Sequence, residues 1–269
     1  MVACLSVLAR LEILSVRFES PQSHPDRNSL CLPPPTRALL PVLIRLEFEG
    51  VSEYLEYIVA RIDVPVLHFL GITFFHQLIF DTPQLTQLID RRTPQTKTLD
   101  GAYLTFLNWD KNSSIMLFRQ NCVFDDELRL DITCRHSRQS YWQFSFLTQM
   151  CSSTGPHYLI PAKEKLYVDL YASGTDPWQG EIDGGPWLEI LRSFTGVKAL
   201  YISDKLTPHI AYALQELVGE RVMEVLPALQ KLFFKDLSQF QVGPVRDAID
   251  QFVAARQVTG HPVAIFRWQ

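Results

Sequence analysis

A curved α/β solenoid is the fold this sequence predicts, with a parallel sheet on the concave side and helices packed behind it. Three observations carry that expectation. One spacing recurs along the chain: an apolar residue is followed by others three, six and eight positions on, as Leu226, Leu229, Leu232 and Phe234 are in LPALQKLFFKD (226–236). Each copy ends in apolar–polar alternation, the pattern of a strand with one buried face. Helical patterns separate the copies, and strand centres toward the C-terminus fall near residues 168, 201, 233 and 265, about 32 apart. That period lies in the range of stacked repeats. One strand and one helix cannot bury their apolar faces alone, so neighbouring units must stack.

In chain order, the copies are LARLEILSVRF (8–18), LPVLIRLEFEG (40–50), VPVLHFLGITF (64–74), IPAKEKLYVDL (160–170), FTGVKALYISD (194–204) and the copy at 226–236. In the fourth, Lys163 replaces the second apolar residue. After Gly50, Ser52 is placed to cap a helix with Leu55, Ile58, Val59 and Ile62 on one face. Strands are expected at 102–106, 114–118 and 128–134, and a helix over Gln139–Met150, where Trp142 and Phe146 share a face. Pro186 opens a helix carrying Trp187, Ile190, Leu191 and Phe194, with Gly196 as its stop. Thr207-Pro208 opens another with Ile210, Leu214 and Leu217 inside, and Gly243-Pro244 a third with Val245, Ile249, Phe252 and Val253. A strand over Val263–Trp268 closes the chain. The loops at 20–36 and 173–185 are rich in Pro, Gly, Ser and charge but separate no regions of different composition, so residues 1–269 are expected to form one domain.

Composition narrows the function. The chain is 47% hydrophobic and 20% charged, with a net charge of -4. A broad nucleic-acid-binding surface needs clustered Lys and Arg and is not expected. Two apolar stretches invite a membrane reading. The opening MVACLSVLARLEIL is interrupted by Arg10 and Glu12, and the stretch 64–80 carries Pro65, His68, Gly71, His76 and Gln77, so both are assigned to core strands. The five cysteines (Cys4, Cys31, Cys122, Cys134 and Cys151) are scattered and odd in number, which points to buried thiols in a reducing compartment. The protein is therefore expected to be intracellular, cytoplasmic or nuclear.

The apolar spacing resembles the leucine-rich repeat, without the Asn or Cys that normally follows the strand and with longer units. More narrowly, IDVPVLHFLGITFFHQLIFDTPQLTQLI (62–89), PALQKLFF (227–234) and GPVRDAIDQFVAARQVTGHPVAIFRW (243–268) resemble the leucine-rich-repeat portion of fungal F-box-like proteins, particularly those of mushroom-forming fungi. The resemblance implies a substrate-binding part of a cullin-type ubiquitin ligase, with a protein or ubiquitination substrate held on the repeats. In such proteins an upstream F-box docks onto the ligase adaptor. No Leu-Pro-x-Glu-Ile helix start appears here, and the chain begins inside a repeat at Leu5 or Leu8, so it is expected to correspond to the repeat portion alone. A stand-alone repeat scaffold without a ligase connection is the alternative within the same class.

The chemistry-bearing residues fit packing and turn roles. The seven histidines show no metal-ligand spacing, and no metal or cofactor is expected. Cys134 and His136 lie two apart on one strand and share a face. They would serve a hydrolase or transferase only with an orienting partner and oxyanion donors, so no catalytic residue is assigned. Asp125-Asp126-Glu127 and Asp183-Gly184-Gly185 read as turns, and Asn112-Ser113-Ser114 as an unused glycosylation sequon. The remaining candidate is the solvent-facing side of the sheet. Between the apolar strand positions lie Ser15, Glu47, Gly71, Tyr167, Tyr201 and Phe233, and two residues further on Arg17, Glu49, Thr73, Asp169, Ser203 and Lys235. Tyr167, Tyr201 and Phe233 are expected to form an aromatic patch for a protein partner, with Asp169, Ser203 and Lys235 beside it. Neither nucleic acid nor membrane is expected as a partner.

Overall fold

The computed structural model describes residues 8–19, 37–75, 82–91, 101–107, 112–118, 128–134, 144, 146–148, 163–171, 184–217, 219–235 and 242–268. In chain order the elements are β1 (Ile13–Arg17), β2 (Ala38–Leu39), β3 (Arg45–Gly50), α1 (Ser52–Val59), β4 (Ile62–Asp63), β5 (Phe69–Phe74), α2 (Pro83–Arg91), β6 (Gly101–Leu107), β7 (Asn112–Phe118) and β8 (Leu128–Cys134). There follow β9 (Lys165–Tyr171), α3 (Gly185–Arg192), β10 (Ala199–Ile202), α4 (Thr207–Gln215), β11 (Lys231–Phe234), α5 (Pro244–Val258) and β12 (Ala264–Arg267). The protein is α/β. Ten strands form one sheet in the order β1-β3-β5-β8-β7-β6-β9-β10-β11-β12, while β2 and β4 pair separately.

The sheet is parallel except at β7, which runs antiparallel to β6 and β8. Connection length accounts for this. Only residues 108–111 join β6 to β7, and 119–127 join β7 to β8. A parallel crossover needs a dozen residues or more. The chain therefore turns back on itself, and β8 comes to lie beside β5 while β6 lies beside β9. The stacking of repeat units predicts a parallel sheet, and β7 departs from it.

Away from that insert, successive units are joined by a recurring backbone device. The carbonyl of Glu12 accepts from the N–H groups of Ile44 and Arg45, and that of Ile44 from His68 and Phe69. Likewise the Glu164 carbonyl accepts from Lys198 and Ala199, and the Lys198 carbonyl from Gln230 and Lys231. Each unit so fixes the entry of the next strand. Within the units, the N–H of Leu43 donates to the Leu40 carbonyl, Leu67 to Val64 and Leu229 to Leu226, making the same turn between the first and second apolar positions.

One apolar cluster runs from Ala38 to Val263 between the sheet and the helices. The repeat positions predicted to be apolar fill it: Leu40, Leu43, Leu46 and Phe48 in one unit, Val64, Leu67, Leu70 and Ile72 in the next, and Leu226, Leu229, Leu232 and Phe234 near the C-terminus are all buried. Each such side chain contributes roughly 2 kcal/mol relative to remaining exposed. Lys163, which breaks the apolar pattern, is only 4% exposed and keeps the place of the residue it replaces. The first unit differs, because Leu8 is 44% exposed. The helix starts agree with the sequence within a residue or two, and proline lies in the first turn of α3, α4 and α5. Ser52, expected to cap α1, is instead its first residue; Val51 holds the cap position with no side-chain cap, and Ile62, expected on the apolar face of this helix, lies in β4 because the helix ends at Val59. α2 is capped from its neighbour, since the Glu56 carboxylate accepts from the N–H groups of Gln84 at 2.7 Å and Leu85 at 2.9 Å. Of the helix expected over 139–150, Phe144 and 146–148 are helical, and the rest lies outside the described residues, as does the loop at 20–36 and most of that at 173–185.

No helix among the described residues is long and apolar enough to cross a membrane. Cys134 ends β8 in the core at 1% exposure, on the same face as Leu128, Leu130 and Ile132. His136 and the other four cysteines lie outside the described residues.

Candidate recognition face

The outer face of the sheet carries the residues that the helices leave uncovered, and the register sorts them into rows. Tyr103, Tyr167, Tyr201, Phe233 and Phe266 occupy matching positions on β6, β9, β10, β11 and β12. Parallel strands in register repeat at about 4.8 Å, and the rings follow that repeat. Tyr103 and Tyr167 stack at 5.8 Å, Tyr167 and Tyr201 at 4.0 Å, Tyr201 and Phe233 at 4.3 Å, and Phe233 and Phe266 at 5.0 Å. The interplanar angles are 8°, 7°, 9° and 23°. Tyr167, Tyr201 and Phe233 are thus brought together as the spacing predicted, and the register adds Tyr103 and Phe266 at the two ends.

Trp268 follows β12 and folds back over this ladder. Its ring stands at 85° to Tyr201, 5.7 Å away, and at 78° to Tyr167, 6.0 Å away. Its indole N–H donates to the Ile202 carbonyl at 3.3 Å, and its backbone N–H to the Phe234 carbonyl at 3.1 Å. Lys235 places its ammonium 5.8 Å above the indole ring.

Asp169 and Ser203 lie on the same face but are not the exposed groups that alternation predicted. Asp169 is 6% exposed; its carboxylate accepts from the Tyr103 hydroxyl at 2.7 Å and from the Leu170 N–H at 2.8 Å. Ser203 is 1% exposed and sits where the chain leaves β10 for a short 3-10 turn, its carbonyl accepting from Leu206 and from the backbone and hydroxyl of Thr207. Lys235 is exposed, as expected.

The other half of the face is polar. Ser15, Glu47, Gly71 and Asp131 share one row across β1, β3, β5 and β8. A cleft of about 290 Å³ opens over it, lined by Glu47, Glu49, Gly71, Thr73, Asp131 and Thr133 among others. Gly71 helps to form its floor, where a Cβ would come within 2.9 Å of the Phe69 ring. Arg45 spans the row below, its guanidinium 4.3 Å from the centre of Phe69 and 2.7 Å from the Glu47 carboxylate. Arg17 approaches Glu47 at 3.6 Å and Arg129 meets Asp131 at 2.9 Å. The hydrogen bond from Arg45 holds the Glu47 carboxyl below its ordinary range; burial opposes it, and the charges of Arg45 and Arg17 and a bond from Ser15 add to the lowering. Among the described residues, no group of three or more His, Cys, Asp or Glu side chains is placed to hold a metal ion.

Compared with protein-family models, curated proteins and solved structures, the chain gives no match.

Proposed function

We propose that the chain is a non-enzymatic recognition module, a leucine-rich-repeat-like solenoid that holds a protein partner on its outer sheet face by surface complementarity and without a cofactor. The stack of five rings on adjacent strands carries this reading. Aromatic side chains concentrated on a rigid surface are the usual anchors of protein interfaces. The recurring carbonyl device between units supports the solenoid, because it joins each unit to its neighbour in the same way, as stacking of repeats does. The sequence resemblance to the repeats of fungal F-box-like proteins supports the role of a ubiquitin-ligase substrate receptor over that of a free-standing scaffold.

Two measurements test this. Replacing Tyr167, Tyr201 and Phe233 together with Ser is expected to abolish partner capture from cell lysate while the urea unfolding transition remains cooperative. A chain that no longer folds assigns these rings to the core instead. An upstream-extended chain that carries an F-box and folds, yet recovers no ligase adaptor, removes the ligase role and leaves the scaffold.

A further inference from the structure

The aromatic ladder closes off its own faces. Rings stacked at strand spacing cover one another, so the rims point outward, those of Tyr167 and Tyr201 partly against the Trp268 indole, and the rim of an aromatic ring is its electropositive part. Beside the ladder, toward the starts of the strands, the register sets Gly101, Lys165, Ala199, Lys231 and Ala264 in a row. Lys165 and Lys231 stand two strands apart, roughly 10 Å. On the opposite side of the ladder lies Lys235. Lys231 and Lys235 are both exposed, and neither forms an ion pair among the described residues. Asp169, a carboxylate on this face, is buried and already engaged by the Tyr103 hydroxyl and the Leu170 N–H. On a protein of net charge -4, the described residues of this surface are therefore cationic and aromatic.

We infer that this surface binds an acidic peptide segment: an extended chain whose Asp or Glu side chains meet Lys231 and Lys235 and whose apolar side chains lie along the ring rims between them. The inference rests on the recognition reading above and adds the chemistry of the partner. Charge complementarity of this kind directs encounter and excludes basic competitors. Single-stranded nucleic acid, the other common polyanion, binds by stacking bases on open ring faces, and within this ladder the faces are occupied by neighbouring rings.

The test is selection of a displayed library of random peptides on the folded chain, on the double variant Lys231→Glu/Lys235→Glu, and on the triple variant Tyr167→Ser/Tyr201→Ser/Phe233→Ser. Both lysines are exposed, so the charge reversal leaves the core intact, and circular dichroism checks this. The expected result is enrichment of Asp and Glu on the wild-type chain, replaced by Lys and Arg on the charge-reversed one, with a selected acidic peptide binding the reversed chain at least about tenfold more weakly. Neutral or basic peptides on the wild-type chain, or the same peptides on the charge-reversed chain, overturn the acidic assignment. If those peptides are still lost on the triple variant, the recognition reading stands without it. Peptides selected equally by the wild-type chain and the triple variant overturn both. Displacement of a selected peptide by single-stranded oligothymidylate overturns the assignment in favour of nucleic acid.

Discussion

The indole of Trp268 stands perpendicular to the ring of Tyr201, at 85° and 5.7 Å, and hydrogen-bonds to the carbonyl of Ile202, the next residue of the same strand. The last strand thus ties itself to β10 across β11 with a single side chain. An edge strand otherwise has only one neighbour to hold it. Replacing Trp268 with Ala removes two perpendicular ring contacts and one hydrogen bond, and is expected to cost about 2 kcal/mol. Urea unfolding measures the shift. A midpoint unchanged from wild type would mean that the indole adds nothing to the sheet edge.

Arg256 offers a second test, from the helical layer. It is fully buried in α5, and its guanidinium donates to the carbonyls of Leu229 at 2.9 Å and Pro227 at 3.2 Å, with the Met223 sulfur 3.0 Å away. Burial works against its charged form and pushes its pKa down. The carbonyls offset this, and in return receive the donors that the turn before β11 does not supply. Arg256→Ala leaves those carbonyls unpaired and should destabilise the fold by about 3 kcal/mol. Arg256→Lys is expected to recover little of the loss, since an ammonium cannot reproduce the planar fork. Chemical denaturation of the two variants decides this.

Two glycines separate packing from conformation. A Cβ at Gly50 would come within 2.8 Å of the Phe18 ring and 2.9 Å of Phe48, whereas at Gly71 it would meet the half-buried Phe69 at 2.9 Å. Phe48 is locked in the core and Phe69 is not. Gly50→Ala is therefore expected to cost about 2 kcal/mol and Gly71→Ala about half of that. Equal losses in thermal unfolding would show that Phe69 is held as firmly as Phe48.

Glu47 gives a pH dependence with a definite sign. Its carboxyl titrates below the ordinary range in the folded chain, chiefly through the bond from Arg45. The unfolded chain therefore takes up the proton first as pH falls. The stabilisation is complete above the ordinary carboxylate pKa and is lost as pH drops through the depressed one. Comparing Glu47→Gln with wild type by denaturation from neutral pH into the acid range should show the largest difference at neutral pH and convergence in acid. The partners are exposed, so the difference is small and shrinks with added salt. A gap that widens in acid would contradict the assignment.

Much of this architecture is written locally. The positions three, six and eight after the first apolar residue report which side chains face inward, because a turn followed by a strand places them there regardless of what lies next to it. Leu40 to Phe48 and Leu226 to Phe234 were readable on that ground, and so was the outward direction of Tyr167, Tyr201 and Phe233. Proline and glycine marked the helix starts for the same reason. The site was legible as far as alternation reaches, and its middle three rings lay within that reach.

What alternation cannot carry is direction, adjacency and cover. A strand keeps its period of two whether it runs up or down, so the antiparallel β7 follows from the short connections and not from alternation, and which strands flank the β8-β7-β6 insert is fixed only by pairing in space. Tyr103 and Phe266 join the ladder only through pairing partners far away in sequence. Asp169 and Ser203 had the parity of exposed residues and became buried, one by turning to a neighbouring tyrosine and the other by serving a turn. Glu56 capping α2, Arg256 reaching the carbonyls before β11 and Trp268 crossing two strands belong to the same class. Local periodicity suffices for the repeat spacing, its inward face and the aromatic centre of its outer face. Strand order, the ends of the ladder and which polar groups stay exposed depend instead on which distant backbone comes within hydrogen-bonding distance.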